Sequence, residues 1–162
     1  MIPAGYMLKK VALRPDWISS EAVIDLFSVS GCTSKDFANY IEHWKHNGYG
    51  LFNRPSDMNP ILDKSEVDRD EFRLFYYEVY EYQYDEEAKV WTPHEPDTVM
   101  DTAVEAPRSK RLEGFDVVTF WAGAGPECSP LSCCSLADDI PVNSHCLFDT
   151  FDEAKSSIDT GK

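Results

Sequence analysis

Four of the five cysteines in this 162-residue chain fall within one short, turn-rich segment, residues 123–146. Thiolate sulfur and imidazole nitrogen are ligands that tetrahedral zinc prefers, so the segment contains the atom types of a zinc site. The candidate ligands are Cys128, Cys133 (or its neighbour Cys134), His145 and Cys146. Their spacing differs from the paired C-x2-C pattern of zinc ribbons, and adjacent His145 and Cys146 need an unusual turn to reach one ion. We therefore expect no bound metal or other cofactor, with this ligand set as the alternative.

The same segment offers a second kind of chemistry, that of a cysteine nucleophile. Cys128 follows Gly125-Pro126-Glu127, a turn that can expose a thiol, and His145 is available as its base. The oxyanion donors and the third orienting group of such a site are not identifiable in the sequence. The favoured interpretation is that these cysteines are small buried apolar residues in a loop beneath a sheet. An enzyme or sensor is therefore the alternative, and a protein without catalysis is favoured.

The cysteine segment also carries a family resemblance. Residues 127–154 contain ECSPLSC and NSHCLF followed by an acidic helix, and GFDVVTF precedes them. In these motifs the chain resembles an uncharacterised bacterial protein family with an ECSPLSC…HCLF-type segment. The resemblance implies a bacterial origin and brings no known activity, cofactor or ligand set.

Length and composition predict one folded domain over residues 1–162. Hydrophobic residues make up 43% of the chain and aromatic residues 13%, which is enough to build a core. The N-terminal stretch lacks the apolar core of a secretory signal, and no apolar run is long enough to span a membrane. We therefore expect a cytoplasmic protein with reduced thiols.

The charge balance limits the kinds of partner. The chain has 29 acidic and 15 basic residues, a formal net charge of −14. This charge repels phosphate backbones and anionic lipid surfaces, so direct binding to nucleic acid or membrane is disfavoured. A basic protein is the expected partner, and the oligomeric state stays open.

Two N-terminal helices are predicted, after a stretch at residues 6–13 that fits a strand or a loop equally well. The first helix starts at Asp16 and ends near Gly31. Its shared apolar face consists of Trp17, Val23, Ile24 and Phe27.

The second predicted helix spans residues 34–47 and follows a capping box at residues 33–36. His43 and His46 lie near its end, where a cationic imidazole suits the helix dipole better than a metal site does. Its apolar stripe consists of Phe37, Tyr40, Ile41 and Trp44.

The sheet signal lies in the second half of the chain. Residues 72–84 alternate as a strand, and Asp85-Glu86-Glu87-Ala88 turns them back into residues 89–92 as an antiparallel hairpin. The apolar run at residues 115–121 is the candidate for a central strand. A second capping box, from Thr150 to Glu153, begins a short C-terminal helix.

These elements predict an α+β fold, with two N-terminal helices packed on a mainly antiparallel sheet and a short C-terminal helix. The hairpin brings acids and tyrosines together: the favoured explanation of the tyrosines is a half-exposed sheet face, and a protein-binding surface is the alternative. Its predicted partner-binding residues are Glu78, Tyr80, Glu81, Tyr82, Asp85, Glu86 and Glu87. The sequence therefore predicts a small acidic binding protein that neutralises or inhibits a protein partner, of the immunity-protein or nucleic-acid-mimic type.

Overall fold

The structure, a computed structural model, describes residues 1–28, 47–64, 68–95, 103–118 and 129–159. The helix predicted over residues 34–47 lies outside these ranges except for its last residue. Short 3-10 turns occur at Pro55–Met58, Arg69–Glu71 and Leu136–Asp138. The strands and helices are β1 (Ile2–Leu13), β2 (Asp25–Ser28), α1 (Asn59–Lys64), β3 (Phe72–Val79), β4 (Tyr82–Asp85), β5 (Val90–Pro93), α2 (Pro130–Cys133) and α3 (Phe151–Asp159).

Strand β1 organises the main sheet, which is antiparallel and ordered β2-β1-β3. The part of β1 up to Lys10 pairs with β3, and the part from Lys10 onward pairs with β2. Ala4 and Met7 are fully buried in this strand. The stretch at residues 6–13, which fits a strand or a loop equally well in the sequence, is thus the C-terminal part of a long central strand.

The predicted packing of two N-terminal helices on the sheet is wrong. The first of them is replaced by a loop that leads into β2, which joins the sheet beside β1. Its proposed apolar face does not act as one surface, because Val23 is buried whereas Trp17 and Ile24 are 44% and 64% exposed.

Hydrogen bonding explains why this loop is not helical. The backbone N–H groups of Ser19 and Ser20 both donate to Asp138 Oδ1, each at 2.8 Å. A distant carboxylate thus binds the Ser20 N–H, which a helix that starts at Asp16 would pair with the Asp16 carbonyl. The bonds from Ser20 and Ser19 hold the pKa of Asp138 below its ordinary value.

The central strand predicted over residues 115–121 is also wrong where the structure describes it. Phe115 forms only an isolated bridge to Phe148, and residues 116–118 belong to no strand. Asp116 Oδ1 accepts a local hydrogen bond from the Val117 N–H at 2.8 Å, which replaces a ladder bond there. Residues 119–121 lie outside the described ranges.

Two local predictions are confirmed. Strands β4 and β5 form the antiparallel hairpin, although Tyr80 and Glu81 separate β4 from β3. Helix α3 starts at the second capping box, where Thr150 N donates to Glu153 Oε2 at 2.9 Å and Glu153 N donates to Thr150 Oγ1 at 3.2 Å. Both features depend on residues close together in sequence.

The buried side chains form two clusters. The first lies under the N-terminal part of β1 and consists of Ala4, Tyr6, Met7, Tyr49, Leu51, Phe52 and Met58. The second consists of Ile18, Val23, Leu26, Leu131, Ala137, Cys146, Phe148 and Ala154. No helix within the described ranges is long and apolar enough to cross a membrane.

Candidate functional site

The β4–β5 hairpin is held at its tip by one carboxylate. Asp85 Oδ1 accepts hydrogen bonds from the backbone N–H groups of Glu87 and Ala88, both at 2.9 Å. Lys89 completes the turn with a φ of 53°, and residues 83–95 are all exposed. The turn therefore presents an acidic tip to the solvent on an ordered backbone.

An aromatic pair lies next to this tip. Tyr84 and Trp91 are opposite each other in the hairpin register, and their ring centroids are 5.3 Å apart. They remain 38% and 36% exposed, and neighbouring Val90 is 49% exposed. Cross-strand packing thus orders two large rings without removing them from contact with a partner.

The base of the hairpin is closed through Glu81. Its carbonyl oxygen accepts a hydrogen bond from the His94 N–H at 2.8 Å, and its Oε1 accepts one from the Tyr49 hydroxyl at 2.5 Å. Burial, followed by the hydrogen bond to Glu81, raises the pKa of Tyr49 above its ordinary value, so the phenol stays a donor. The Tyr80 ring, beside Glu81, contacts Phe151 of α3 at 4.4 Å between centroids.

The predicted partner-binding residues form two groups: residues 78–82 lie at or before the base of the hairpin, and residues 85–87 lie at its tip. Glu78 forms an ion pair with Lys110 at 2.6 Å, and Glu81 binds Tyr49. Tyr80 is 45% exposed and Tyr82 is half-buried. The acids at the solvent-facing tip are Asp85, Glu86 and Glu87.

Sequence reasoning missed three exposed side chains of the hairpin, Tyr84, Val90 and Trp91. The alternation of the hairpin places Tyr84 on the same face as Tyr82, and its register places Trp91 beside Tyr84. The four-residue turn fixes that register, so the pairing of Tyr84 with Trp91 could have been predicted from the sequence.

The structure separates the described residues of the cysteine segment. Cys146 is buried in the second cluster, whereas Cys134 is exposed, and both are free thiols. His145 Nδ1 lies 2.5 Å from Asp25 Oδ1, and its ring stacks on Phe27 at 4.7 Å between centroids. Cys128 lies outside the described ranges, and Cys133 ends α2.

No family model, curated protein or solved structure matches the chain. The resemblance of residues 127–154 to an uncharacterised bacterial family therefore stays a prediction.

The environment of Cys146 is that of a packed core. Burial, and then the nearby charges of Asp116 and Asp138, raise the pKa of the Cys146 thiol to about 12. At neutral pH the metal-free thiol is therefore protonated, which disfavours Cys146 as a nucleophile. No group of three potential metal ligands occurs within the part of the chain that the structure describes.

Proposed function

We propose that this protein is a small acidic binding protein that neutralises or inhibits a basic protein partner, and that the β4–β5 hairpin contacts that partner. The observation that carries the proposal is the exposed Tyr84–Trp91 pair beside the acidic turn. Aromatic side chains supply much of the energy of protein interfaces, because they bury a large area with few rotatable bonds.

Charge complementarity selects the class of partner. Residues 81–95 contain five acids and one lysine, and the whole chain has a net charge of −14. Such a field steers a basic protein to the hairpin and repels a second copy of this chain. The exposed free thiol of Cys134 fits a reducing setting, and we therefore place the protein in the cytoplasm.

A test of the hairpin has to separate its charge from its turn structure. Asp85→Lys would remove both, because Asp85 accepts two backbone hydrogen bonds in the turn. The double variant Glu86→Lys with Glu87→Lys reverses charge at exposed positions and leaves Asp85 in place. Trp91→Ala removes one ring of the aromatic pair. The control is Glu21→Lys, which reverses one exposed acid outside the hairpin.

The partner is first captured from a bacterial lysate at low salt, and its association is then measured across a salt series. We expect the double charge variant to associate more slowly at low salt. The difference should shrink as salt rises, because the Debye length falls from about 30 Å at 0.01 M to about 8 Å at 0.15 M. Trp91→Ala should dissociate faster at every salt concentration, while Glu21→Lys behaves like the parent.

Two results count against the proposal. One is a lysate from which no basic protein is retained. The other is a captured partner that binds the double charge variant and Trp91→Ala with the parental rates, since the hairpin would then be only a solvated turn.

A further inference from the structure

Two loops in distant parts of the chain have the same local sequence. Residues 47–53 read NGYGLFN, and residues 143–149 read NSHCLFD. Each begins with an asparagine that is followed four and five residues later by leucine and phenylalanine. The phenylalanines, Phe52 and Phe148, are 0% and 1% exposed and belong to the two different buried clusters.

The side-chain oxygen of the asparagine accepts the same two hydrogen bonds in both loops. In the first loop, Asn47 Oδ1 accepts from the N–H of Tyr49 at 2.9 Å and from that of Leu51 at 3.0 Å. In the second loop, Asn143 Oδ1 accepts from the N–H of His145 at 2.9 Å and from that of Leu147 at 3.1 Å. The shared pattern closes each loop around its asparagine.

Each asparagine also binds an extended segment from elsewhere in the chain. Asn47 Nδ2 donates to the carbonyl of Ala4, the residue before Gly5, and Asn143 Nδ2 donates to the carbonyl before Gly114. Gly5 has a φ of 135° and Gly114 has a φ of 152°. A Cβ on either glycine would lie 2.7 Å from the Cβ of the loop leucine, so the same close approach requires glycine twice.

The correspondence continues on both sides of each loop. Tyr6, after Gly5, exchanges two backbone hydrogen bonds with Phe52, at 2.8 and 3.0 Å. Phe115, after Gly114, exchanges two with Phe148, both at 2.9 Å. A helical segment begins three residues after each phenylalanine, at Pro55–Met58 and at α3. A left-handed residue precedes each leucine: Gly50 has a φ of 69° and Cys146 a φ of 60°.

We infer that the chain contains two copies of one structural unit. In each copy, the side chain two residues after the asparagine binds a carboxylate at the start of another strand or directly before it, and this contact docks the unit there. In the first copy Tyr49 binds Glu81 at the base of the β4–β5 hairpin, and in the second copy His145 binds Asp25 at the start of β2. Tyr49 is therefore a positioning residue for the hairpin, and its role in binding rests on the proposed function.

The position of Glu81 explains why this contact matters for the hairpin. An isolated two-stranded hairpin is marginally stable in water, so its orientation depends on what fixes its ends. The Glu81 carbonyl closes the hairpin to His94, while the Glu81 carboxylate is fixed by Tyr49, which is itself 6% exposed. The first loop thus connects the hairpin to the buried core under β1.

The duplication supplies a matched pair of variants. Tyr49→Phe and His145→Phe each remove one polar contact to a carboxylate and keep an aromatic ring in place. We expect Tyr49→Phe to increase amide hydrogen exchange about tenfold in the hairpin, at the His94 amide above all, and to leave β2 unchanged. His145→Phe should increase exchange in β2 and leave the hairpin unchanged. NMR measurement resolves the two regions, and cross-strand NOEs between Gln83 and Thr92 give a second readout.

A conservative pair at the acceptor checks that the hydrogen bond itself is responsible. Glu81→Gln retains an oxygen acceptor for the Tyr49 hydroxyl and should keep the parental exchange, whereas Glu81→Ala should behave like Tyr49→Phe. The inference is overturned if both phenylalanine variants change the same region, or if Tyr49→Phe leaves the hairpin amides and NOEs as in the parent.

The exchange measurement needs no partner, so it is independent of the proposed function. If Tyr49→Phe loosens the hairpin and the captured partner still binds at the parental rate, the docking role of Tyr49 stands and the binding role of the hairpin fails. If charge reversal slows binding and Tyr49→Phe leaves the hairpin unchanged, the docking role fails alone.

Discussion

Replacing either loop asparagine with alanine should destabilise the fold by a similar amount. In Asn143→Ala, the N–H groups of His145 and Leu147 lose their acceptor and the Glu113 carbonyl loses its donor. A hydrogen bond of this kind contributes about 0.5 to 1.5 kcal/mol, and leaving a buried partner unsatisfied costs more, so three lost bonds amount to about 2 to 4 kcal/mol. Asn47→Ala removes the three equivalent bonds and also the bond from Asn47 Nδ2 to Asn53 Oδ1 at 3.1 Å, so its cost should be similar or somewhat larger.

Urea unfolding followed by tryptophan fluorescence measures this loss. With a slope of about 2 kcal/mol per molar urea, the midpoint should fall by about 1 to 2 M in each variant. Asn143→Asp keeps the acceptor and loses the donor to Glu113, so its midpoint should lie between those of the parent and the alanine variant. Asn59→Ala, at an exposed asparagine, is the control and should stay within about 0.5 kcal/mol of the parent.

Alanine variants that unfold at the parental midpoint would contradict this prediction, since the loops would then be held by their apolar residues alone. A large effect at Asn47 with none at Asn143 would also contradict it, because equivalent hydrogen bonds in equivalent units should have similar energies.

Three further predictions follow from single contacts. In the native protein, exposed Cys134 should react with a thiol reagent and buried Cys146 should not. Burial raises the pKa of Cys146 from 9.0 to about 12, so the stability that its protonated thiol contributes is present below pH 9 and is lost as the pH rises towards 12. Urea titrations at several alkaline pH values would detect this loss. Thr150→Ala should lower the free energy of unfolding by about 1 kcal/mol, because it removes the side-chain cap at the start of α3. Arg54 is the corresponding N-cap of the Pro55–Met58 turn and makes no side-chain cap, so Arg54→Ala should change the unfolding midpoint little. Gly114→Ala should lower the melting temperature, because the new Cβ would lie 2.9 Å from the Phe148 carbonyl at a φ of 152°, and an unchanged melting temperature would show that the loop shifts freely.

Sequence reasoning predicted the features that neighbouring residues determine. The hairpin depends on a four-residue acidic turn capped by Asp85, and the start of α3 depends on the reciprocal bonds between Thr150 and Glu153. In both cases the deciding hydrogen bonds join groups at most three residues apart, so the local pattern contained the required information.

Contacts between distant residues decided the features that were predicted wrongly. The loop before β2 has plausible helix-start residues, yet Ser19 and Ser20 bind Asp138, which is more than a hundred residues away. Strand β2 forms because Leu26 and Ser28 face the interior while β1 supplies backbone partners. Local propensity cannot predict either effect, because the loop depends on Asp138 and strand β2 depends on β1, and both lie outside the local sequence.

The duplicated unit is visible in the sequence, but the cysteine and histidine of its second copy suggest a chemical site instead of a repeated loop. The pattern of asparagine, leucine and phenylalanine occurs twice, but Gly50 in the first copy corresponds to Cys146 in the second. A cysteine beside a histidine suggests metal binding or catalysis, whereas a glycine at the same place suggests a turn. Because Cys146 is left-handed, buried and held in a protonated state, the backbone of the unit rather than thiol chemistry accounts for its environment. The same comparison assigns His145 the docking position of Tyr49, so the His145–Cys146 end of the cysteine segment belongs to the second copy of a structural loop.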